Sequence, residues 1–146
     1  MNTIARNYSA STTRNVGIDV GKSTLDVFIY EMDLHWQVAN TDLDIRSLLT
    51  TLKRYKLTRI VVEATGGYER LLVEACAVKK LPVIVVQPAH VRQFAKAQGL
   101  LAKTDKLDAR LIAQFGAVMQ PEVRSLPSQN VRQVKDLLAR KRQLNE

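Results

Sequence analysis

Four acidic residues stand at positions where stability alone does not explain a carboxylate. Asp19 lies between two aliphatic residues in a β-forming run, where a carboxylate is costly unless it is paired or metal-bound. Glu63 follows the apolar run 60–62, and α/β sheets place their sites at such strand ends. Asp105 and Asp108 are three residues apart at the start of a predicted helix, so we expect them to share one inward-facing surface. That surface continues through three apolar residues, Ile112, Phe115 and Met119.

Each acid taken singly has a structural interpretation, such as a strand-end charge or a first-turn partner of the helix dipole. Together the four are harder to explain, because clustered like charges raise one another's pKa and destabilise the fold unless a cation neutralises them. Oxygen-only ligands suit Mg²⁺ or Mn²⁺. Two such ions about 4 Å apart can activate a nucleophile and stabilise the leaving oxygen of a phosphodiester. The pattern therefore predicts phosphoryl transfer on nucleic acid.

The distribution of charge also favours nucleic acid as the partner. The chain has 146 residues and a net charge of +8, and residues 1–78 hold nine basic and nine acidic groups. Residues 79–146 hold 13 basic and five acidic groups, so the whole surplus lies in the second half. A basic half suggests a polyanionic partner, and a solvated helical surface is the alternative. The candidate phosphate-binding residues are Lys103, Lys106, Arg110, Arg140, Lys141 and Arg142.

Composition excludes several other classes of protein. A hydrophobic content of 46% rules out wholesale disorder, and no apolar run approaches the ~18 residues of a membrane span. The single cysteine, Cys76, and two histidines exclude an internal disulfide and a zinc cluster. We therefore expect a cytoplasmic protein. The string 17–23 imitates a phosphate-binding loop, but only three residues separate its first glycine from the Gly-Lys pair, where four are needed.

Hydrophobic periodicity predicts an α/β fold. Three strands with apolar or alternating patterns come first, followed by helix, strand, helix, strand and helix, and then by a longer helix that Thr104 would cap. This order predicts a mixed five-stranded sheet with flanking helices. The predicted strands are 16–20, 25–30, 34–38, 60–62 and 83–86, and the predicted helices contain the apolar stripes of 45–52, 68–76, 91–94 and 112–119.

The chain is expected to contain one folded domain with a segment on each side. Residues 1–14 have the composition of a flexible tail, 15–120 form the α/β domain, and 121–146 form a linker and the start of a basic coiled-coil helix. That helix carries an apolar stripe and stops without a C-cap glycine, so we expect a fragment cut within a longer helix. The stripe would need a partner, which favours a homo-oligomer through this helix. Its residues are Val131, Val134 and Leu138.

Three strings, GIDVGKSTLDV, VVEATGGYE and KTDKLDARLIA, occur in the order that carries the four acids. They strongly resemble the DEDD transposases of bacterial insertion sequences, the Piv invertase-like family, over roughly residues 15–146. The resemblance implies a RuvC-like ribonuclease H fold and Mg²⁺-dependent DNA strand cleavage and exchange during transposition. It also implies that the four acids are the catalytic metal ligands, namely Asp19, Glu63, Asp105 and Asp108.

The same resemblance implies parts that this sequence lacks. Family members are considerably longer, with a coiled coil and a second domain whose serine is the nucleophile. They are also associated with a structured guide RNA, which leaves open whether the basic half holds RNA as well as DNA. Two other functions compete. An actin-like sugar kinase would share the Asp19–Gly21 pattern but needs a duplicated domain, whereas a non-catalytic nucleic-acid-binding or assembly module would have no need for inward carboxylates.

Overall fold

A computed structural model describes residues 13–101 and 106–123. This part of the chain contains a single five-stranded sheet, four α-helices and one 3-10 turn. The strands are β1 (Asn15–Val20), β2 (Thr24–Ile29), β3 (Leu34–Ala39), β4 (Arg59–Glu63) and β5 (Val83–Val86). The helices are α1 (Asp42–Lys53), α2 (Arg70–Val78), α3 (Pro88–Ala97) and α4 (Ala109–Met119), and the 3-10 turn is Tyr30–Met32.

The sheet has the order β3-β2-β1-β4-β5. The pairs β1–β2 and β2–β3 are antiparallel, and the pairs β1–β4 and β4–β5 are parallel. The prediction of a mixed five-stranded sheet is therefore confirmed. Because β1, β4 and β5 run in the same direction, their carboxyl ends meet at one edge of the sheet, and α3 begins directly beyond it. The string 17–23, which imitates a phosphate-binding loop, lies in β1 and the turn that follows it.

The two faces of the sheet bury separate apolar clusters. The first face packs against α1 and α2 through alternate strand residues such as Val16, Ile18 and Ile60, all fully buried. The second face packs against α3 and α4, where Phe94 and Phe115 meet edge to face with centroids 5.6 Å apart. This alternation follows from the period of two in a strand, which sends successive side chains to opposite faces. Asp19 of β1 and Glu63 of β4 accordingly project from the second face.

Local sequence signals set several element boundaries. Thr41 caps α1 by accepting a hydrogen bond from the Asp44 N–H at 3.3 Å, as the capping-box variant predicts. The stripe of α1 is buried throughout, and Pro88 occupies the first turn of α3. Both predictions are confirmed. The buried stripe consists of Ile45, Leu48, Leu49 and Leu52.

A buried polar network holds the far end of α4 to the amino edge of the sheet. Asn15, which is 2% exposed, donates its backbone N–H to the Glu31 carboxylate at 2.6 Å. Its Oδ1 accepts a hydrogen bond from Arg59 Nη1, which also donates to the Gly116 carbonyl at 3.2 Å. The last turn of α4 is thereby tied to β1 and β4. The Gly116 carbonyl also accepts a hydrogen bond from the Gln120 N–H at 3.0 Å, so Arg59 supplies it with a second donor that comes from the sheet.

Three apolar positions differ from prediction. Tyr68 was expected to begin a helix stripe, but α2 begins at Arg70 and Tyr68 is 50% exposed. Met119, expected to face the core, ends α4 with 57% of its surface exposed, because the helix extends past the sheet at that end. Residues 98–103 have the composition of a loop, which predicts two exposed leucines, but only Leu100 is exposed and Leu101 packs partly against the second-face cluster.

Other predictions fall outside the described residues. These are residues 1–12 of the predicted tail 1–14 and the basic helix that follows Pro127. Within the tail, Arg14 is described and donates its backbone N–H to Thr58 Oγ1 at 3.0 Å. Within 13–101 and 106–123, no helix is both long and apolar enough to cross a membrane.

Candidate active site at the carboxyl edge of the sheet

Asp19 is placed by β1 on the face that α3 and α4 cover. Its neighbours Ile18 and Val20 point to the opposite face and are buried, so the carboxylate must emerge on the second face. The side chain is half-buried. Burial raises the pKa of Asp19, and the charges of Asp26 and Asp108 raise it further. Asp26 lies directly opposite Asp19 on the neighbouring strand β2.

Glu63 is the last residue of β4 and stands beside Asp19. The parallel register pairs Ile18 with Val62, so the next residues of the two strands are neighbours on the same face. Burial and the charge of Asp19 raise the pKa of Glu63, whereas Arg92 on α3 lowers it. Sequence reasoning missed Arg92, whose neighbours in α3 suggested only an apolar stripe. Arg92 is half-buried and lies close to Glu63 through the packing of α3 on the sheet, which local sequence does not show.

Gly17 brings α4 against the sheet. A Cβ built on Gly17 would lie 2.3 Å from the Ala109 carbonyl oxygen and 2.3 Å from the Ala113 nitrogen, both backbone atoms. Only glycine allows this approach, because any side chain would push the helix away. Since Gly17 and Asp19 are two residues apart in β1, the start of α4 lies next to Asp19. A glycine within a strand was the available signal, but sequence reasoning assigned it no role.

Asp108 is the N-cap of α4, which corrects the predicted helix start at Thr104. Its Oδ1 accepts a hydrogen bond from the Leu111 N–H at 2.8 Å. Residues 106–108 precede the helix, and Leu107, 7% exposed, occupies the inward position in place of an acid. Asp108 itself is exposed at the edge of the sheet. Asp108 therefore does not lie on an inward helix face as predicted, although it lies near enough to act on Asp19. Asp105 lies outside the described residues.

The structure thus places Glu63 and Asp108 each within electrostatic range of Asp19, while Asp105 lies outside the described residues. Within 13–101 and 106–123, no three acidic, histidine or cysteine side chains form a group that could hold a metal ion as they stand. The donor set nevertheless suits a divalent cation in its chemistry. All three side chains offer carboxylate oxygens, which Mg²⁺ and Mn²⁺ prefer, and the pKa values of Asp19 and Glu63 are raised in a way that a cation would reverse.

The basic residues predicted near the acids are partly held by other side chains. Arg110 lies with its guanidinium carbon 5.4 Å from the Phe28 ring centroid and with Nη2 3.4 Å from an Asp33 oxygen. Its side chain remains 67% exposed, so it can still reach a phosphate. Lys106 is also exposed. The other predicted phosphate-binding residues, Lys103, Arg140, Lys141 and Arg142, lie outside the described residues.

The loop that follows Glu63 is braced by a second carboxylate. Glu69 Oε2 accepts hydrogen bonds from Thr65 Oγ1 at 2.6 Å and from the Gly67 N–H at 3.1 Å. Burial acts to raise the pKa of Glu69, but these hydrogen bonds outweigh it and the pKa is lowered. The pair Gly66-Gly67 predicts a close turn of the chain beside Glu63, and the φ angles of 81° and 135° confirm that these positions use the conformational freedom of glycine. Glu69 was not singled out from the sequence.

Comparison with known proteins identifies a matching family and related sequences. The model of the family DEDD_Tnp_IS110, described as "Transposase", matches residues 16–146. The pilin gene-inverting protein of Moraxella lacunata is 29% identical over 122 residues, which are 79% of this chain. The protein of the same name from Moraxella bovis gives the same figures. In both cases the chain spans only 38% of the length of the relative.

Among solved structures, the chain is similar to RuvC of T. thermophilus in complex with a Holliday junction substrate. The TM-score is 0.50 at 18% identity, and the match covers 73% of this chain and 96% of that one. At this identity the likeness concerns the fold. The predicted RuvC-like, ribonuclease H-like fold is confirmed.

Proposed function

Since residues 16–146 match its model, the chain belongs to the DEDD transposase family of the IS110 type, and we propose that it forms the catalytic core of a DNA transposase or site-specific recombinase. The proposed reaction is the cleavage and exchange of DNA strands during transposition of an insertion sequence. The alternative is a non-catalytic module that binds nucleic acid or assembles the complex. We assign the nucleophile to no residue of this chain.

One observation carries the proposal. Asp19, Glu63 and Asp108 come from two strands and a helix start that are distant in sequence, and they meet at one edge of the sheet, where the charge of Asp108 acts on Asp19 and the charge of Asp19 acts on Glu63. An arrangement that raises the pKa of its own carboxylates destabilises a protein, and a bound cation would compensate for that loss. A non-catalytic binding module would have no need for such a cluster of carboxylates.

In this proposal Asp19, Glu63, Asp105 and Asp108 hold Mg²⁺ or Mn²⁺, with two ions in the complete site. Bound there, the ions would activate the attacking group and stabilise the oxygen that leaves when the phosphodiester P–O bond breaks. Asp19 and Glu63 would be the fixed ligands, because both belong to paired strands. Asp108 would be set by the start of α4, which Gly17 holds against β1.

The basic side chains around the site would bind backbone phosphates. Arg92 is close enough to lower the pKa of Glu63, and Lys106 and Arg110 expose their charges beside Asp108 in sequence. Lys103 and the basic run 140–142 would extend this surface. Such contacts do not distinguish DNA from RNA, so a structured guide RNA is compatible with the same residues.

The proposal is tested by titrating Mn²⁺ calorimetrically into the chain in the presence of a short phosphodiester oligonucleotide, whose oxygens can complete the coordination. The Asp105→Ala/Asp108→Ala variant is expected to lose binding. A matched variant, Asp42→Ala/Glu122→Ala, removes two exposed acids elsewhere and is expected to bind like the unaltered chain. Equal binding by all three proteins would contradict the proposal, and unchanged thermal stability on adding Mn²⁺ would favour the non-catalytic module.

A further inference from the structure

Asp19 has a second acidic neighbour that the four-acid pattern does not include. The antiparallel register places Asp26 of β2 directly opposite Asp19, and the next strand places Gln37 opposite Asp26. Directly paired residues project from the same face. With Glu63 on the other side of Asp19, a polar row crosses four strands of the sheet on the face of α3 and α4. Asp19 therefore has a carboxylate on each side.

The side chain of Asp26 is held in place within this row. Gln37 Nε2 donates a hydrogen bond to Asp26 Oδ1 at 3.0 Å, and His35 Nε2 lies 3.6 Å from the same oxygen. Both partners project from the edge strand β3, and the Asp26 side chain is 34% exposed. Its negative charge is thus fixed beside Asp19 and cannot swing away into solvent without losing the Gln37 hydrogen bond.

This placement works against the stability of the metal-free fold. Like charges directly opposite each other in an antiparallel pair are destabilising. An asparagine at position 26 could accept the same hydrogen bond from Gln37 without the charge. A role limited to joining β2 and β3 explains the Gln37 hydrogen bond, and a carboxylate adds to it only a contact with the exposed His35 at 3.6 Å. A cation at Asp19 would turn the repulsion into attraction, because both carboxylates would then face positive charge.

We propose that Asp26 is a positioning residue of the cation site, which acts through Asp19 by adding negative charge beside it and so strengthens the binding of a divalent cation. The proposal rests on the metal-dependent function proposed above, and it adds a residue outside the four-acid set. Gln37 and His35 contribute by holding the Asp26 carboxylate in this position.

The test compares Asp26→Asn with Glu122→Gln, which removes one exposed negative charge beyond the opposite end of α4. Mn²⁺ affinity is measured by calorimetry on the full chain with the same oligonucleotide, and thermal stability is measured without metal. Asp26→Asn is expected to weaken Mn²⁺ binding about tenfold. Its metal-free Tm should equal or exceed that of the unaltered chain, because a repulsion is removed. Asp26→Glu, which keeps the charge, should restore most of the affinity.

The two readouts separate this role from a structural one. A fall in the metal-free Tm of Asp26→Asn, with Mn²⁺ affinity unchanged, would overturn the inference and leave Asp26 as a strand-joining residue. Tight Mn²⁺ binding by both the unaltered chain and Asp26→Asn would overturn the inference alone. Failure of the unaltered chain to bind Mn²⁺ would overturn the proposed metal-dependent function and, with it, the role of Asp26.

Discussion

Once ionised, the carboxylates of Asp19 and Glu63 oppose folding of the metal-free chain. Burial and neighbouring charges raise both pKa values above the ordinary 3.8 of aspartate and 4.5 of glutamate. The folded chain therefore holds these protons more tightly than the unfolded chain does. The stability that this tighter proton binding contributes is fully present below the ordinary pKa values, and it is lost as the pH rises through the raised pKa values.

Removing one of these charges is therefore expected to raise the Tm of the metal-free chain by an amount that depends on pH. Without metal, Asp19→Asn should raise the Tm relative to the unaltered chain at pH 7, and the gain should be smaller at pH 4, because the raised pKa means that more of the native carboxyl is then protonated. Thermal melts in a chelating buffer at the two pH values measure this difference. A Tm difference that is equal at both would show that ionised Asp19 is not destabilising. Asp44→Asn, which alters a carboxylate that accepts a hydrogen bond from the Ala39 N–H, should lack the gain at pH 7.

Among the elements, α4 does most to assemble the site. It is held at one end by the Gly17 contact and at the other by Arg59, which donates a hydrogen bond to the Gly116 carbonyl. Between these ends Ile112 and Phe115 are buried against the second face. The position of Asp108 relative to Asp19 is therefore set by the packing of a whole helix.

Gly17→Ala should separate these two acids. The new methyl group would collide with backbone atoms of Ala109 and Ala113, which cannot rotate aside, so α4 must shift. Overpacking of this kind costs about 1–3 kcal/mol of unfolding free energy. We also expect weaker Mn²⁺ binding, because Asp108 moves with the helix. Urea unfolding and calorimetry measure the two effects.

Gly21→Ala is the control for this variant, because its added carbon would lie 3.3 Å from the Thr24 carbonyl and meets no helix. It should change stability less and leave Mn²⁺ affinity close to that of the unaltered chain. Equal effects of the two glycine substitutions would mean that the approach of α4 is not what positions the site.

The limits of sequence reasoning also lie at the level of elements. Strands and helices were predictable because apolar residues recur with periods of two and 3.6, as in α1. The start of α4 was not, because Thr104 and Asp108 are both good N-cap residues and local sequence does not choose between them. Packing chooses, since Leu107 and Ala109 are buried when Asp108 is the cap. Asp26 escaped notice for a related reason: strand register, which places it opposite Asp19, depends on the whole sheet.

Across the whole molecule, the net charge of +8 should govern binding to nucleic acid. Each phosphate contact releases condensed counterions, so the affinity for DNA should fall linearly with salt on a log–log plot. Replacing Lys106 or Arg110 by alanine should reduce the magnitude of that slope by about 0.7–0.9 if each side chain contacts one phosphate. Fluorescence anisotropy with a labelled duplex at several salt concentrations measures the slopes.

Lys53→Ala provides the matched control, because Lys53 is an exposed basic residue in the last turn of α1, on the other face of the sheet. Its salt slope should equal that of the unaltered chain. A slope reduced to the same extent by all three substitutions would indicate a diffuse effect of net charge instead of a phosphate-binding surface beside the acids.

The topology also determines when, during synthesis, the acids can meet. Asp19 and Glu63 lie on adjacent strands of the sheet, but Asp108 takes its place only after α4, which ends at Met119, has packed onto Gly17. A ribosome must therefore release nearly 120 residues before the three carboxylates can converge. A nascent chain interrupted earlier would carry two of these acids on an unfinished sheet, without the third. For a protein proposed to cut DNA, this order of assembly delays completion of the cutting site until the supporting fold is in place.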